Sequence, residues 1–457
     1  MAEISQRRRI WGWYFFDWAS QPYNTLLLTF VFGPYFAEVA RAQFTASGLG
    51  ADAAGAAAQA YWGWGQTLCG VVIAVLAPIL GAIADGSGRR LVWIWLFSAF
   101  YVVGAWGIWY LAPDQPDLFR AMLWFGVGLI GMEFATIFTN SLMPDLAGDS
   151  DMGKISGSGF AFGYVGGILA LVLMLTLLAE NSATGKTLIG LQPLFGLDPA
   201  LREGTRAVGP FTAIWYLLFM LPFFAWVKEP KSLRRAIPIR AALADLWQLI
   251  LSLGSRRSLG AHLLSSMLYR DALNALYGFG GVYASGVLGW SITKIGVFGI
   301  AGAISAALFS WLGGRLDSAR GPKPLITLSM LVLIAVCLVI AGMSRDAFFG
   351  LRFAAGSTLP DAIFYVCGIV IGAAGGTLQS ASRTMMVYHT TSDRATEAFG
   401  LYALSGKATS FIAPFSIAVI TGFSGSQRLG IAVPLIVLFV AGLVILAAVK
   451  PFGERST

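Results

Sequence analysis

Charge is what this 457-residue sequence has least of. Only 12% of its residues are Asp, Glu, Lys or Arg, while 57% are hydrophobic; an ordinary soluble domain carries about 25% charged residues. That scarcity excludes a soluble globular chain and predicts an integral membrane protein. The formal net charge of +8 does not make a nucleic-acid surface, because the basic residues sit in short clusters between apolar runs rather than along one polar face. Cysteine is thin as well. Cys69, Cys337 and Cys367 each fall inside an apolar stretch, with neither metal-site spacing nor a disulfide framework, and read as packing residues. No Walker lysine loop, zinc-type His/Glu spacing or nucleophile elbow occurs, so nothing calls for an enzyme, a metal or a cofactor. Glu133 and His262 are the groups an intramembrane acid–base reaction would use, and whether solute is recovered unchanged separates that class from transport.

What is present is apolar length. Stretches of roughly 20 residues bounded by charge or turn clusters give twelve helices, with cores at 11–36, 60–84, 91–112, 119–143, 155–179, 209–227, 259–287, 293–313, 324–343, 361–388, 396–421 and 429–449. The expected fold is an all-α membrane protein of twelve transmembrane helices in two pseudo-symmetric six-helix bundles. Its parts are an N-terminal bundle over 1–227, a basic connector over 228–258 and a C-terminal bundle over 259–457. The Ala/Gly-rich piece 42–59 and the segment 180–208 read as the longest loops on one side. Arg7-Arg8-Arg9 ahead of the first run has the outline of a secretory signal. That run is too long for one and contains Asp17, Gln21 and Pro22, so it reads as an uncleaved first helix. Putting the N-terminus in the cytoplasm leaves about 19 Lys/Arg inside and about 9 outside, which the positive-inside rule favours. Both termini are then cytoplasmic, and a bacterial inner membrane is the expected location.

Polar residues inside these runs carry the functional signal, since an ionisable group at membrane depth costs roughly 2.5 kcal/mol or more unless it faces a bundle interior, a partner or water. In the first helix Asp17, Ser20, Gln21 and Asn24 fall on one stripe at helical spacing. Glu133, Thr136 and Asn140 form a second stripe, with Glu133 a candidate proton carrier or a permanent partner of some cation. His262, Ser266, Arg270 and Asn274 step by four along the seventh helix. His262 reads as an interfacial histidine. Arg270 and Asp271 point about 100° apart, so each needs a partner elsewhere. Gln379 and Arg383, then Lys407, add to the second half. Acidic groups thus gather in the first half and basic groups in the second. That polarity suits a zwitterion, its ammonium toward Asp17 and Glu133 and its carboxylate toward Arg270 or Lys407. It equally describes an internal ion-pair network that locks the halves. Gly157, Gly159, Gly163, Gly166 and Gly167 read as close helix packing, and tryptophans near run ends, Trp11 and Trp13 among them, as interfacial anchors.

A repeat links the halves. Gly81-Ala-Ile-Ala-Asp85-Gly-Ser-Gly88-Arg89-Arg90 follows the second helix and Gly313-Gly-Arg-Leu-Asp317-Ser-Ala-Arg320-Gly321-Pro-Lys323 follows the eighth, half a chain apart. With twelve helices and a basic connector, this loop resembles the major facilitator superfamily. Tyr14-Phe-Phe-Asp17-Trp-Ala, Tyr269-Arg270-Asp271-Ala-Leu-Asn274, Gln379-Ser-Ala-Ser-Arg383 and Glu397-Ala-Phe-Gly-Leu-Tyr402-Ala-Leu-Ser-Gly-Lys407 resemble its autophagy-related vacuolar effluxer-like branch. Fungal members of that branch are implicated in exporting amino acids from the vacuole. The resemblance implies a latch of Asp85, Arg89 and Arg90, with Asp317 at the second loop, where no basic residue follows directly. The expected function is secondary active transport of a small polar solute, an amino acid first, by alternating access with protons as coupling ion. Solute, protons and the bilayer are the expected partners, nucleic acid is not, and the chain is expected to act as a monomer. The alternatives are a non-transporting receptor or scaffold, and a transporter of a sugar or drug.

Overall fold

The computed structural model describes residues 4–87, 89–146, 151–182, 184–229, 248, 251, 256–288, 290, 292–354, 356–390, 398–399, 401–402, 405–406, 409, 412–424 and 426–451. Lys407, most of the connector, and the Asp85 side chain lie outside the described residues.

The first crossing is built in pieces. α1 (Gln6–Pro22) passes into a π-helical turn over Tyr23–Phe30, and α2 (Phe32–Ala46) follows after Val31, whose φ of −122° breaks the helix. Pro22 is the cause in sequence: a proline ring removes an amide donor and crowds the preceding turn. The expected single run 11–36 is therefore three segments, and Asn24 sits in the wide turn rather than in line with Asp17 and Gln21. α3 (Ala51–Ser87) starts much earlier than the expected loop allowed. Alanine is the best intrinsic helix former, so 51–59 extends the helix and the expected loop 42–59 shrinks to a few residues around Gly48.

α4 (Arg90–Gly107), α5 (Leu118–Ser141) and α6 (Met152–Leu173, continued by a π turn to Leu178) follow. A mostly irregular stretch with a short α7 (Glu203–Arg206) precedes α8 (Val208–Phe219) and α9 (Leu221–Trp226), which meet at Met220 just before Pro222. The second half contains α10 (Arg257–Gly286), α11 (Ile292–Arg320), α12 (Pro322–Gly342), α13 (Leu359–Tyr388), α14 (Ile412–Ser424) and α15 (Gln427–Leu446). A two-stranded hairpin, β1 (Ala347–Phe348) with β2 (Leu351–Arg352), joins α12 to α13. Gly321, at φ +80°, lets the chain turn between α11 and Pro322.

Among the described residues, eight helices or runs of consecutive helices are long and apolar enough to cross a membrane. The crossings that miss this measure include α1 with α2 and α10, which carry two of the polar stripes. Large apolar side chains such as Phe119, Leu328, Val437 and Val444 are exposed on helix faces, as lipid-facing residues of a membrane bundle are.

By contacts the chain forms two compact units, one of residues 1–73, 89–139 and 162–232, the other of 74–88, 140–161 and 233–457. The first is cored by aromatic rings: Tyr23, Phe32, Trp62 and Phe125 pack together, and Tyr101 stacks on Tyr216 at 3.9 Å. Trp13 belongs to this core and not to an interface, since it is fully buried and donates to the Thr139 carbonyl at 2.9 Å. The second unit packs α11 along α13 and α10 against α15 around Leu273, Leu333, Phe364, Leu378 and Phe439. Segment 140–161 is part of this unit although it comes from the first half of the sequence.

Candidate functional site

In the first unit α1 presents Asp17 and Gln21 to α6, and glycine makes that approach possible. A Cβ on Gly163 would lie 3.1–3.2 Å from Asp17 atoms, one on Gly166 2.9 Å from Trp18, and one on Gly167 2.8 Å from Gln21. Three of the expected packing glycines thus press α6 onto the polar stripe. Asp17, Gln21, Asn24 and Glu133 are each half-buried. Trp215 fixes the turn that carries Asp17 by donating to the Trp18 carbonyl at 3.2 Å. The loop charges Arg89 and Arg90 flank the start of α4, Arg89 exposed and Arg90 half-buried. A carboxylate the sequence reading missed stands here: Glu229, past α9, accepts the Leu91 amide at 3.1 Å, where an anion complements the helix dipole.

In the second unit Arg383 is the best-held charge. Its side chain is 3% exposed. Nε donates to Ser156 Oγ at 2.9 Å, one terminal nitrogen to the Ser156 carbonyl, the other to Asn140 Oδ1 at 3.4 Å, and the guanidinium lies over the Phe160 ring at 3.9 Å. Ser156 and its neighbours belong to the first half of the sequence, so this is a clasp between halves. Of its members the sequence singled out Asn140 and Arg383. Ser156 and Phe160 were hidden in a glycine-rich stretch that reads as packing.

Beside the clasp α6 and α11 touch through glycine. A Cβ on Gly157 would fall 2.4 Å from the Ser310 carbonyl oxygen and 2.6 Å from Gly314 Cα. One turn on, Asp317 is 1% exposed and lies against Gly153, close to the start of α6, with the Thr384 hydroxyl beside it. Ser318 Oγ accepts the Lys154 amide at 2.9 Å. The second repeat motif, expected as a loop, is thus the last turns of α11, and its Ser318 supplies an acceptor near the start of α6, where the helix dipole also suits the Asp317 carboxylate.

Arg270 and Asp271 do find separate partners. The Arg270 guanidinium lies over the Tyr402 ring at 4.2 Å, donates to the Tyr402 carbonyl at 2.8 Å and lies flat on Gly406, where a Cβ would come within 2.6 Å. Asp271 Oδ2 accepts the Ala413 amide at 2.9 Å at the start of α14. Asn274 is exposed, and Gln379 Nε2 donates to the Gly375 carbonyl at 3.4 Å. His262 is fully buried rather than interfacial. Among the described residues no three His, Cys, Asp or Glu side chains gather as a metal site.

The sequence profile described as vacuole effluxer Atg22 like matches residues 5–451. The uncharacterized MFS-type transporter YxiO of Bacillus subtilis is 25% identical over 450 residues, 98% of this chain and 95% of that protein. Among solved structures, the human organic anion transporter MFSD10 (TETRAN) superposes with a TM-score of 0.67 at 15% identity, over 97% of this chain and all of that one. The proton:xylose symporter XylE superposes with a TM-score of 0.64 at 13% identity, over 99% and 98%.

Proposed function

Because this chain belongs to the vacuole effluxer Atg22-like family and is a transporter of the major facilitator type, we propose that it moves a small zwitterion, an amino acid, by alternating access coupled to protons. The observation that carries the reading is the clasp of Arg383 on Ser156 and Asn140. It joins the halves through hydrogen bonds that can be broken and remade, unlike the apolar core on either side. In this reading residues 1–227 and 259–457 are the moving bundles and 228–258 the connector. The clasp, the glycine contact and Asp317 close the cytoplasmic end, together with Asp85, Arg89 and Arg90, in a bacterial inner membrane with both termini inside. The chain acts as a monomer.

Solute chemistry follows from the charges. Arg270 is flattened between Tyr402 and Gly406, which presents a planar guanidinium suited to a carboxylate. Asp17 and Glu133 are the acidic groups for an ammonium, and Gln21, Asn24, Asn274, Gln379 and Lys407 add hydrogen-bonding capacity. Proton coupling is supported by acidic side chains at membrane depth and by the absence of any nucleotide motif, which leaves a gradient as the energy source. Reconstitution into proteoliposomes with labelled amino acids, peptides, sugars and organic anions, with and without an imposed pH gradient, tests all of this. Amino acid accumulation that follows the gradient is the expected result. Accumulation indifferent to the gradient, or intact in the Asp17→Asn/Glu133→Gln double variant, overturns the proton mechanism. Flux of a sugar or organic anion alone overturns the amino acid, and no flux of any solute favours a receptor.

A further inference from the structure

The chain has only two histidines, and the fold stacks them on each other. His262 comes from the second turn of α10 and His389 from the residue just after α13, yet their ring centroids are 5.5 Å apart with planes 7° from parallel. Both are buried, at 0% and 2% exposure. A third ring, Tyr402, lies 5.9 Å from His262 at 12°, and the Arg270 guanidinium covers Tyr402. A run of parallel flat groups thus leads from the end of α13 to the arginine assigned above to a solute carboxylate.

The two imidazoles differ in what they can do with a proton. Nδ1 of His389 lies 2.8 Å from the Met385 carbonyl, which only accepts, so this nitrogen carries the hydrogen of the neutral ring. Nε2 is then the basic atom, and it sits 2.8 Å from Ser258 Oγ. Ser258 also accepts the Lys450 amide at 2.9 Å, so its own hydrogen is free to point at Nε2. On protonation the roles reverse: Nε2–H donates and the serine hydrogen turns away. Both N–H groups of the charged ring are then satisfied. His262 has no such arrangement, since neither nitrogen makes a hydrogen bond of ordinary geometry, though a backbone group of Ser382 faces the ring. A second charge there would stand 5.5 Å from the first with Arg270 also nearby, and like charges that close do not both persist in a buried site.

We propose that the His262–His389 stack is a binding site for one proton, loaded at His389 through Ser258 and shared with His262 as a coupled pair. The proposal deepens the coupled-transport reading and rests on it for the site's place in the cycle. Among the described residues the other ionisable groups around the pair include Arg256, which donates to the His389 carbonyl at 3.1 Å, Arg270, Tyr269 and Tyr402. α14 has no ionisable side chain, and α15 has only Arg428 at its far start. Lys323 and Lys450 stand at the rim, the former bonded to the Val449 carbonyl. The charged groups described around the pair are therefore basic, which opposes a second proton. A carboxylate arriving on Arg270 would cancel part of that opposition, so solute and proton would load together.

Two histidines make a direct measurement possible. Full-length protein with 15N-labelled histidine and a histidine-free affinity tag, held in lipid nanodiscs, gives two imidazole signal sets to follow from pH 4 to 9. The expected result is one shared proton step seen by both rings. Because the proton is held at His389, His262→Gln should leave that step in place, while His389→Gln should displace the His262 midpoint by more than about one pH unit, the size at which two sites titrate as a pair. Rings that titrate independently, or that take no proton across this range, overturn the site. Uptake of labelled amino acids by proteoliposomes, with and without an imposed pH gradient, separates the two readings. A pair that shares a proton while wild-type flux ignores the pH gradient leaves the site standing and removes coupled transport. Flux that follows the gradient with rings that share no proton does the reverse.

Discussion

A single methyl group placed at the α6–α11 contact tests whether that contact is a closed state the protein must leave. Gly157→Ala puts a Cβ 2.4 Å from the Ser310 carbonyl oxygen and 2.6 Å from Gly314 Cα. Both are backbone atoms of a long helix and cannot rotate away. Carbon atoms need about 3.5 Å, so the helices must part by roughly 1 Å. Overpacking of this kind costs about 1–3 kcal/mol, and the cost falls only on the conformation in which the helices touch. The equilibrium should shift toward the parted form by about 5- to 150-fold. Ser380→Cys is a reporter for this shift: it is 1% exposed beside the clasp, and Ser156 bonds to its carbonyl, not to its side chain. Its maleimide labelling rate should rise by that factor in Gly157→Ala, while Gly50→Ala, with open space around the new methyl, should leave it unchanged. Labelling of Gly157→Ala at the wild-type rate, in protein of normal thermal stability, would refute the view that this glycine contact is opened and closed.

The clasp itself should respond to chemistry and not to charge alone. Arg383→Lys keeps the cation and loses the fork that reaches Ser156 and Asn140, so thermal unfolding in detergent should report a loss of about 1–3 kcal/mol, with Asn140→Ala costing less because its bond is 3.4 Å long. Equal stability of the Arg383→Lys and wild-type proteins would mean that the fork contributes nothing. At Asp271, Ala leaves the Ala413 amide without its acceptor and should lower stability by about 1–3 kcal/mol. Asn retains an oxygen there and should fold normally. Transport by Asp271→Asn at the wild-type rate would confine this carboxylate to capping α14. Glu229→Gln should cost about 0.3–1 kcal/mol, readable as a small fall in melting temperature that high salt erases.

Periodicity and apolar length made the crossings legible, because a helix in lipid must satisfy its own backbone and bury or solvate every charge. What escaped the sequence is what arises between distant residues. Arg383 and Ser156 meet across 227 positions, and nothing local to Ile155-Ser156-Gly157 distinguishes a clasp serine from a packing one. His389 escaped because it stands just past an apolar run, where a histidine looks interfacial; its meaning comes only from the ring stacked on it. The loop expected at 42–59 failed for the opposite reason. Alanine and glycine read together as a linker, but alanine outnumbers glycine there, and the helix prevails. Trp13 shows the same limit. A tryptophan near a run end satisfies the anchor pattern whether its indole faces headgroups or, as here, the Thr139 carbonyl.

The wide turn in the first crossing gives it mechanical freedom that a continuous α-helix lacks. Over Tyr23–Phe30 each hydrogen bond spans one more residue than in α1 or α2, so this stretch holds slack in its winding. On one side of it α1 is anchored by Trp13 on the Thr139 carbonyl at 2.9 Å, and on the other α2 by Tyr35 on the Leu111 carbonyl at 2.8 Å. The slack in the first crossing therefore lies between two held helices, one of which carries Asp17.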